Sequence, residues 1–374
     1  MKLIVIGVGQ AGGRIADSLV AFERTQSSTF TVGAFAFDTT QQDLDALTAI
    51  PDQHRILYGQ LEVSGQGVDG DSEQGSKLAE ANCTELLRSL DDVPTSQADA
   101  ILLTTSLGGG TGSTAVRPLT EELRQTYDVP IYGVGVLPAT DQSPTAAQNS
   151  IQSLRTLTGV VDNLLLFDNE AWLTSGESIE DAFERVNAEL VRRLGVLFSA
   201  GEVDASETVA ESVIDASEII NTLHGGGVSV LGYSSTTVET TESNPGLLSR
   251  LLGRSEPEPV DATKAISVLE TGFRKAIHQG LTAPCSLAST ERALAVVGGP
   301  PAWLNRQGVE RGRQYIESET ECMEVRGGDY PQPDRESVEI DILFSGVSLD
   351  SRIDALQNAA SKSEPVQELP ESRR

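Results

Sequence analysis

Three adjacent glycines stand where ordering them is costly. The run Ser106-Leu107-Gly108-Gly109-Gly110-Thr111-Gly112-Ser113 follows an apolar, strand-like segment at 100–103 and the polar step Thr104-Thr105, and it leads into a stretch with helical spacing. Glycine loses more backbone entropy on folding than any other residue, so a triplet at a strand-to-helix turn requires a reason. Close approach of the backbone to an anion at a helix N-terminus supplies one. A second turn of the same kind opens the chain. Gly7-Val8-Gly9-Gln10-Ala11-Gly12 follows the first strand and begins a helix, which meets the G-x-G-x-x-G pattern in its required context. Two such loops at the carboxyl ends of neighbouring strands hold a polyphosphate from two sides, whereas a dinucleotide site needs only one.

Around these turns the first half of the chain alternates strand and helix. Short apolar runs at 3–6, 32–37, 100–103, 131–136 and 164–167 are separated by helix-compatible segments, the pattern of a parallel, doubly wound sheet. From 178 to 198 the apolar residues Ile179, Phe183, Val186, Leu190, Leu194 and Leu197 recur every three or four positions. This predicts one amphipathic helix with Ser178 as its N-cap, about 30 Å long and able to join two domains. Gly225-Gly226-Gly227 precedes a further strand, residues 244–260 read as an exposed loop, and strands near 293–297 and 337–343 flank a helix around 306–317. The expected α/β architecture is therefore a Rossmann-like nucleotide-binding domain at 1–177 and a connecting helix at 178–200. A smaller α/β domain at 201–345 and a disordered polar tail at 346–374 follow.

Charge narrows the function classes. The chain has 374 residues, with 55 acidic against 27 basic, a formal net charge of −28 and only five lysines. Such a surface disfavours nucleic acid and anionic membrane, and it repels itself until salt screens it. No run of about 18 apolar residues is present, and the start leads straight into glycines, so a cytoplasmic protein without direct membrane insertion is expected. Cys83, Cys285 and Cys322 are too few and too scattered for a disulfide framework or zinc site, and His54, His224 and His278 have no metal-like spacing. Neither glycine loop contains a lysine, which rules out a P-loop. Phosphate charge must be met by backbone N–H groups, the Thr111 and Ser113 hydroxyls, Arg14 and a Mg²⁺ ion, whose protein ligands the sequence does not indicate.

Taken together these residues resemble the tubulin/FtsZ superfamily, whose loop GGGTG[ST] is matched at 108–113. The first loop, Gly9-Gln10-Ala11-Gly12-Gly13, is similar to the tubulin form, while the length is closer to FtsZ and the composition acidic; this mixture resembles the archaeal CetZ branch. The resemblance implies roles elsewhere. Asn169 and Asn187 stand where the family binds guanine. An amide suits guanine, and adenine as well, so the preference for GTP and GDP is what the resemblance implies. Phe183, one turn before Asn187, would stack on the base. Asp38 and Thr39 resemble the second nucleotide loop and Gly65-Gln66-Gly67 the third, and the segment from Pro138 to Gln142 aligns with the ribose loop.

Ser212-Val213-Ile214-Asp215-Ala216-Ser217-Glu218 resembles the family's catalytic loop, N-x-D-x-x-[DE], with Val213 in place of the asparagine. Spacing of three is expected to put Asp215 and Glu218 on one face of a helical turn, where both polarise one water. The pair lies beyond the far end of the long helix from the glycine loops. Water is then activated on the phosphate of a neighbouring copy, and a surface of nucleotide meeting a surface of carboxylates builds a head-to-tail filament. The implied protein is a GTPase that assembles with itself and controls cell shape, with regulators reaching the C-terminal tail. Two rivals use parts of the same evidence. An NAD-dependent oxidoreductase would employ residues 7–12 and Asp38 but leaves 108–113 idle, and a non-hydrolysing polymer scaffold would use Asp215 and Glu218 only as contact residues.

Overall fold

The computed structural model describes residues 1–26, 28–174, 176–202, 214–239 and 260–361. In chain order its elements are β1 (Leu3–Val8), α1 (Gly9–Glu23), β2 (Thr31–Asp38), α2 (Gln41–Asp45), β3 (Arg55–Leu57), α3 (Gln60–Val63), α4 (Ser72–Arg88), β4 (Ala100–Ser106), α5 (Thr111–Thr126), β5 (Ile131–Leu137) and α6 (Pro144–Leu157). There follow β6 (Asn163–Asp168), α7 (Asn169–Trp172), α8 (Ile179–Ala200), α9 (Ala216–Leu223), β7 (Val228–Thr237), α10 (Ala262–Gln279), β8 (Arg292–Gly299), α11 (Arg306–Thr320), β9 (Val325–Pro331), β10 (Ser337–Ser345) and α12 (Asp350–Ala360).

The strands form one ten-stranded sheet in the order β3-β2-β1-β4-β5-β6-β7-β10-β8-β9. Strands β1 to β6 are parallel and carry the doubly wound order 3-2-1-4-5-6. Of these, β1, β4, β5 and β6 are buried along nearly their whole length, as strands covered on both faces must be, while the edge strand β3 is half-buried. The smaller unit mixes directions: β10 is antiparallel to β7 and β8, and β9 is parallel to β8. Its sheet is continuous with the first through a short parallel ladder in which Leu164 pairs with Val228 and Leu165 with Ser229. Each face of the composite sheet carries one apolar layer. Helices α1, α8 and α9 cover one face through Ile15, Leu19, Leu190, Leu194, Ile219 and Leu223. On the other face α4, α5, α6, α10, α11 and α12 contribute, among others, Leu78, Leu119, Leu154, Phe273, Ile316 and Leu356.

The long helix is present as expected, with Ser178 as its cap: the Ser178 hydroxyl accepts from the Asp181 N–H at 3.2 Å. Its 22 residues span about 33 Å. One expectation is corrected. Residues 346–374 do not begin as a disordered tail, because 350–360 form a helix that buries Arg352, Leu356 and Ala359 at helical spacing. The anchoring residue of that face is an arginine, so its periodicity is invisible to a search for apolar residues. The expected loop at 244–260 except Val260, the chain beyond 361, and Ser212 and Val213 lie outside the described residues. Among the described residues no helix is long and apolar enough to cross a membrane.

Candidate functional site

The order of the parallel strands reverses between β1 and β4, and a doubly wound sheet binds its ligand at the carboxyl ends flanking such a reversal. Both glycine turns arrive there. Gly9 leaves β1 with φ +70°, a conformation L side chains rarely adopt, and a Cβ on it would lie 3.0 Å from the Gly112 nitrogen. A Cβ on Gly112 would in turn strike the Thr105 hydroxyl and come within 2.6 Å of the Val8 carbonyl. The two turns therefore touch through glycine backbone, and α1 and α5 start side by side. Neither helix has a side-chain N-cap or an acidic residue in its first turn. Among the described helices of eight residues or more, only α12 shares the lack of a side-chain cap. Their first N–H groups and positive dipole ends are left to an incoming anion.

A cavity of about 730 Å³ opens over these termini, within the size range of a nucleotide-sized ligand. Its phosphate-like end is walled by Gly9, Gln10, Ala11, Ser106, Gly108, Gly109, Gly110, Thr111 and Gly112, and by Gln66, Gly67 and Asp69 of a loop laid over it. That loop is fixed by backbone bonds, Gly67 N–H to Thr39 O at 3.1 Å and Gln41 N–H to Gly65 O at 3.2 Å. Asn149, which is buried, donates to both the Gly70 carbonyl (3.1 Å) and the Gly108 carbonyl (3.3 Å) and so ties this loop to the triple glycine. The opposite end is flat and apolar, formed by Phe167, Ile179, Phe183, Val186 and Leu190, with Pro138, Gln142, Asn169 and Asn187 supplying polar groups. The Arg14 guanidinium lies 4.8 Å from the centre of the Phe183 ring.

The electrostatics of the wall are one-sided. Asp38, Asp43 and Asp69 line the cavity, and no lysine or arginine does. Burial, reinforced by the charge of Asp43, pushes the Asp38 carboxyl up to about 7, although its Oδ1 accepts from the Thr39 and Thr40 amides at 2.7 and 3.1 Å. Three carboxylates without a cation suit a hard divalent ion that shares its coordination with phosphate oxygens and water, the usual habit of Mg²⁺. No cluster of three or more potential metal ligands exists among the described residues, so protein oxygens alone do not make a metal cage.

Several residues read from the sequence stand behind the wall. Gly12 packs against the Thr104 carbonyl and Gly13 against Leu47 and Ala36; Gly65 faces Gln41 and Leu57. The Ser113 hydroxyl donates to the Gly109 carbonyl in the glycine loop that precedes its helix, and the Thr39 hydroxyl bonds that of Thr111 at 2.8 Å. Ser113 is thus spent within the protein, and Arg14 is engaged by Phe183 at the apolar end. Asp43, Asp69 and Asn149 had no motif to announce them; beyond the resemblance at 65–67, the glycines at 65, 67 and 70, with φ of 73°, 81° and 79°, mark only that a loop is there.

The carboxylates at 215 and 218 are arranged differently from the sequence expectation. Asp215 is not on the helical face but is the N-cap of α9: its Oδ1 accepts from the Glu218 N–H at 3.0 Å and from the Ser217 hydroxyl at 2.5 Å. The Ser217 bond holds its carboxyl below the usual range, whereas burial and the charge of Asp215 raise that of Glu218, which Arg326 and Arg313 partly offset. Glu218 is half-buried, and its carboxylate accepts no hydrogen bond among the described residues. The α9 entrance abuts the end of α8: a Cβ on Gly201 would lie 3.7 Å from the Ala216 nitrogen. The cavity, by contrast, is lined by Ile179 to Leu190 in the first half of α8, from about 16 to about 33 Å along the helix from Gly201.

A cleft of about 930 Å³ between α1, α8 and the smaller sheet also reaches Asn187, but no helix N-terminus opens into it. Residues 2–177 match the tubulin/FtsZ family GTPase domain, and residues 176–362 match the C-terminal domain of tubulin-like CetZ. The chain is 46% identical to tubulin-like protein CetZ1 of Haloferax volcanii over 362 residues, 96% of this chain and 92% of that one. It is 44% identical to CetZ5 of the same organism over 97% and 92%. Two solved structures are similar along nearly the full length. They are CetZ1 from Haloferax volcanii as a GDP-bound monomer (TM-score 0.84, 40% identity, 98% of this chain and 100% of that chain) and CetZ2 as a GTPγS-bound protofilament (TM-score 0.84, 34%, the same coverage).

Proposed function

Since this chain belongs to the tubulin-like CetZ family, we propose that it binds GTP and GDP in the cavity above α1 and α5, assembles head to tail, and hydrolyses GTP where two copies meet. The observation that carries this reading is the convergence of two uncapped helix N-termini on one acid-lined cavity. A dinucleotide site would leave the second terminus idle, which disfavours an oxidoreductase. The GDP and GTPγS bound by the two similar structures support a guanine nucleotide, and the protofilament of one of them supports assembly.

In this reading the N–H groups of residues 9–11 and 109–112 receive the phosphates, and Phe183 stacks on the base. Asn169 and Asn187 read its edge, and Pro138 and Gln142 border the ribose. Asp38, Asp43 and Asp69, which form no metal cage together, are the carboxylates from which one or two oxygens would reach a Mg²⁺ ion held otherwise by phosphate and water; bound there, it would neutralise phosphate charge. Glu218 of the adjoining copy takes a proton from water as the water oxygen bonds the γ-phosphorus; the bond to the β–γ bridging oxygen breaks, and GDP and phosphate remain. Asp215, held by Ser217 and capping α9, fixes where Glu218 points. Cytoplasmic filaments that control cell shape are the corresponding cellular role.

Chromatography of nucleotide released from purified protein tests the first part: guanine nucleotides are expected, and NAD would contradict it. For the second part, Glu218→Ala should bind GDP as the parent does while turnover falls by roughly 10²-fold. Unchanged turnover would remove Glu218 from the chemistry.

A further inference from the structure

Arg352 does not line the cavity, yet it grips the two loops that border its base end. It projects from α12, more than 180 residues along the chain from those loops, and is 5% exposed. Its Nη2 donates to Asp168 Oδ1 at 2.8 Å and to the Pro138 carbonyl at 2.7 Å, and the guanidinium is ion-paired with Asp168 Oδ2 (Nε, 2.7 Å, without hydrogen-bond alignment) and with Glu170 Oε2 (Nη1, 2.9 Å). Each partner leads to a cavity residue. Asp168 caps α7, accepting from the Glu170 N–H at 3.2 Å, and so sets the turn that presents Asn169. Glu170 accepts from the Thr140 amide and hydroxyl, both at 3.0 Å, which pins the loop between Pro138 and Gln142. One planar cation thus fixes the loop after β5 against the turn after β6, from behind.

We propose that Arg352 is a positioning residue for nucleoside recognition: by joining these two loops it sets where Asn169 stands at the nucleobase relative to Pro138 and Gln142 at the ribose. The proposal rests on reading the cavity as a guanine nucleotide site. Arginine suits the geometry, because hydrogen-bonding a carboxylate and a carbonyl while ion-pairing a second carboxylate needs a spread, planar cation; lysine presents a single compact charge.

The effect should be confined to the base end. In full-length protein, Arg352→Met is expected to weaken GDP binding by about tenfold or more, as misplacement of contact groups does, and to narrow the preference for GDP over IDP, which lacks the exocyclic amine. Pyrophosphate, which uses only the glycine turns, should bind as it does to the parent. Arg352→Lys should fall between, and Glu170→Gln, at a residue half-exposed to solvent, should weaken GDP in the same direction while keeping the Asp168 pair. The Lys and Gln variants carry the test if the Met variant does not fold. Calorimetric titration with GDP, IDP and pyrophosphate reads all of this. Unchanged GDP affinity in every variant overturns the role of Arg352, and so does an equal loss for GDP and pyrophosphate, which would mark a merely structural contact. Parent protein that binds no guanine nucleotide would instead overturn the site reading, and this inference with it.

Discussion

Asp38 carries the strongest titration signal at the cavity. Its folded-state value of about 7 stands above the 3.8 of an ordinary aspartate because the side chain is buried beside Asp43. A raised carboxyl favours its protonated form in the fold, so the stabilisation it contributes is complete below about 4 and is lost as pH rises through 7. Asparagine keeps the oxygen that accepts from Thr39 and Thr40 but cannot ionise. Asp38→Asn, free of nucleotide, should gain roughly 1–3 kcal/mol over the parent between pH 5.5 and pH 8.5 in urea unfolding. A stability difference constant across that interval would contradict the assignment. At this scale the sequence disclosed what the backbone demands. Gly9 and Gly112 are dictated by left-handed geometry and contact, so residue type alone reveals them. The directions of Ser113, Arg14 and Thr39 depend on which neighbour satisfies each group, and no residue type encodes that. The D-x-x-E at 215–218 was ambiguous for the same reason: one spacing describes a paired face and a helix cap alike, and the structure makes it a cap.

The element that joins both halves of the proposed activity is α8, whose first turns line the cavity with Ile179, Phe183, Val186, Asn187 and Leu190. Ser178 is its cap, so Ser178→Ala should cost about 1 kcal/mol and fray the helix where Ile179 and Phe183 stand. A lowered melting temperature accompanied by a few-fold loss of GDP affinity is expected; loss of stability with GDP affinity intact would separate this end of the helix from the site. Strong periodicity made α8 legible, and short unbroken apolar runs did the same for β1, β4, β5 and β6. Strand β3 has only three residues, too few to show a period, and β9, Val-Arg-Gly-Gly-Asp-Tyr-Pro, has glycines where alternation would be. They are strands because β2 and β8 offer them hydrogen-bonding edges. Helix α12 escaped notice because an ion pair, not a leucine, anchors it.

At the level of the whole molecule, a net charge of −28 should make stability rise with salt. Screening shortens from about 10 Å at 0.1 M to about 3 Å at 1 M. Melting temperatures measured in increasing KCl should climb, and indifference to molar KCl would argue against a salt-adapted protein. The division into a doubly wound half and a smaller mixed half could be read from the alternation of elements. Their fusion into one sheet could not, because two residue pairs between β6 and β7 leave no mark in either strand's pattern. That rigid frame sets the cavity and Glu218 at opposite ends of α8, which is why the proposed chemistry needs two copies. Mixing two defective variants tests this most directly. Glu218→Ala keeps the cavity and lacks the carboxylate; Gly109→Leu keeps Glu218 and fills the cavity, since a Cβ at Gly109 meets nothing within 4 Å. Each alone should release little phosphate from GTP. Mixed in equal amounts, the cavity of one docks on the Glu218 end of the other, and phosphate release should recover to a substantial fraction of the parent rate; a mixture as inactive as its components would contradict catalysis shared between adjoining molecules.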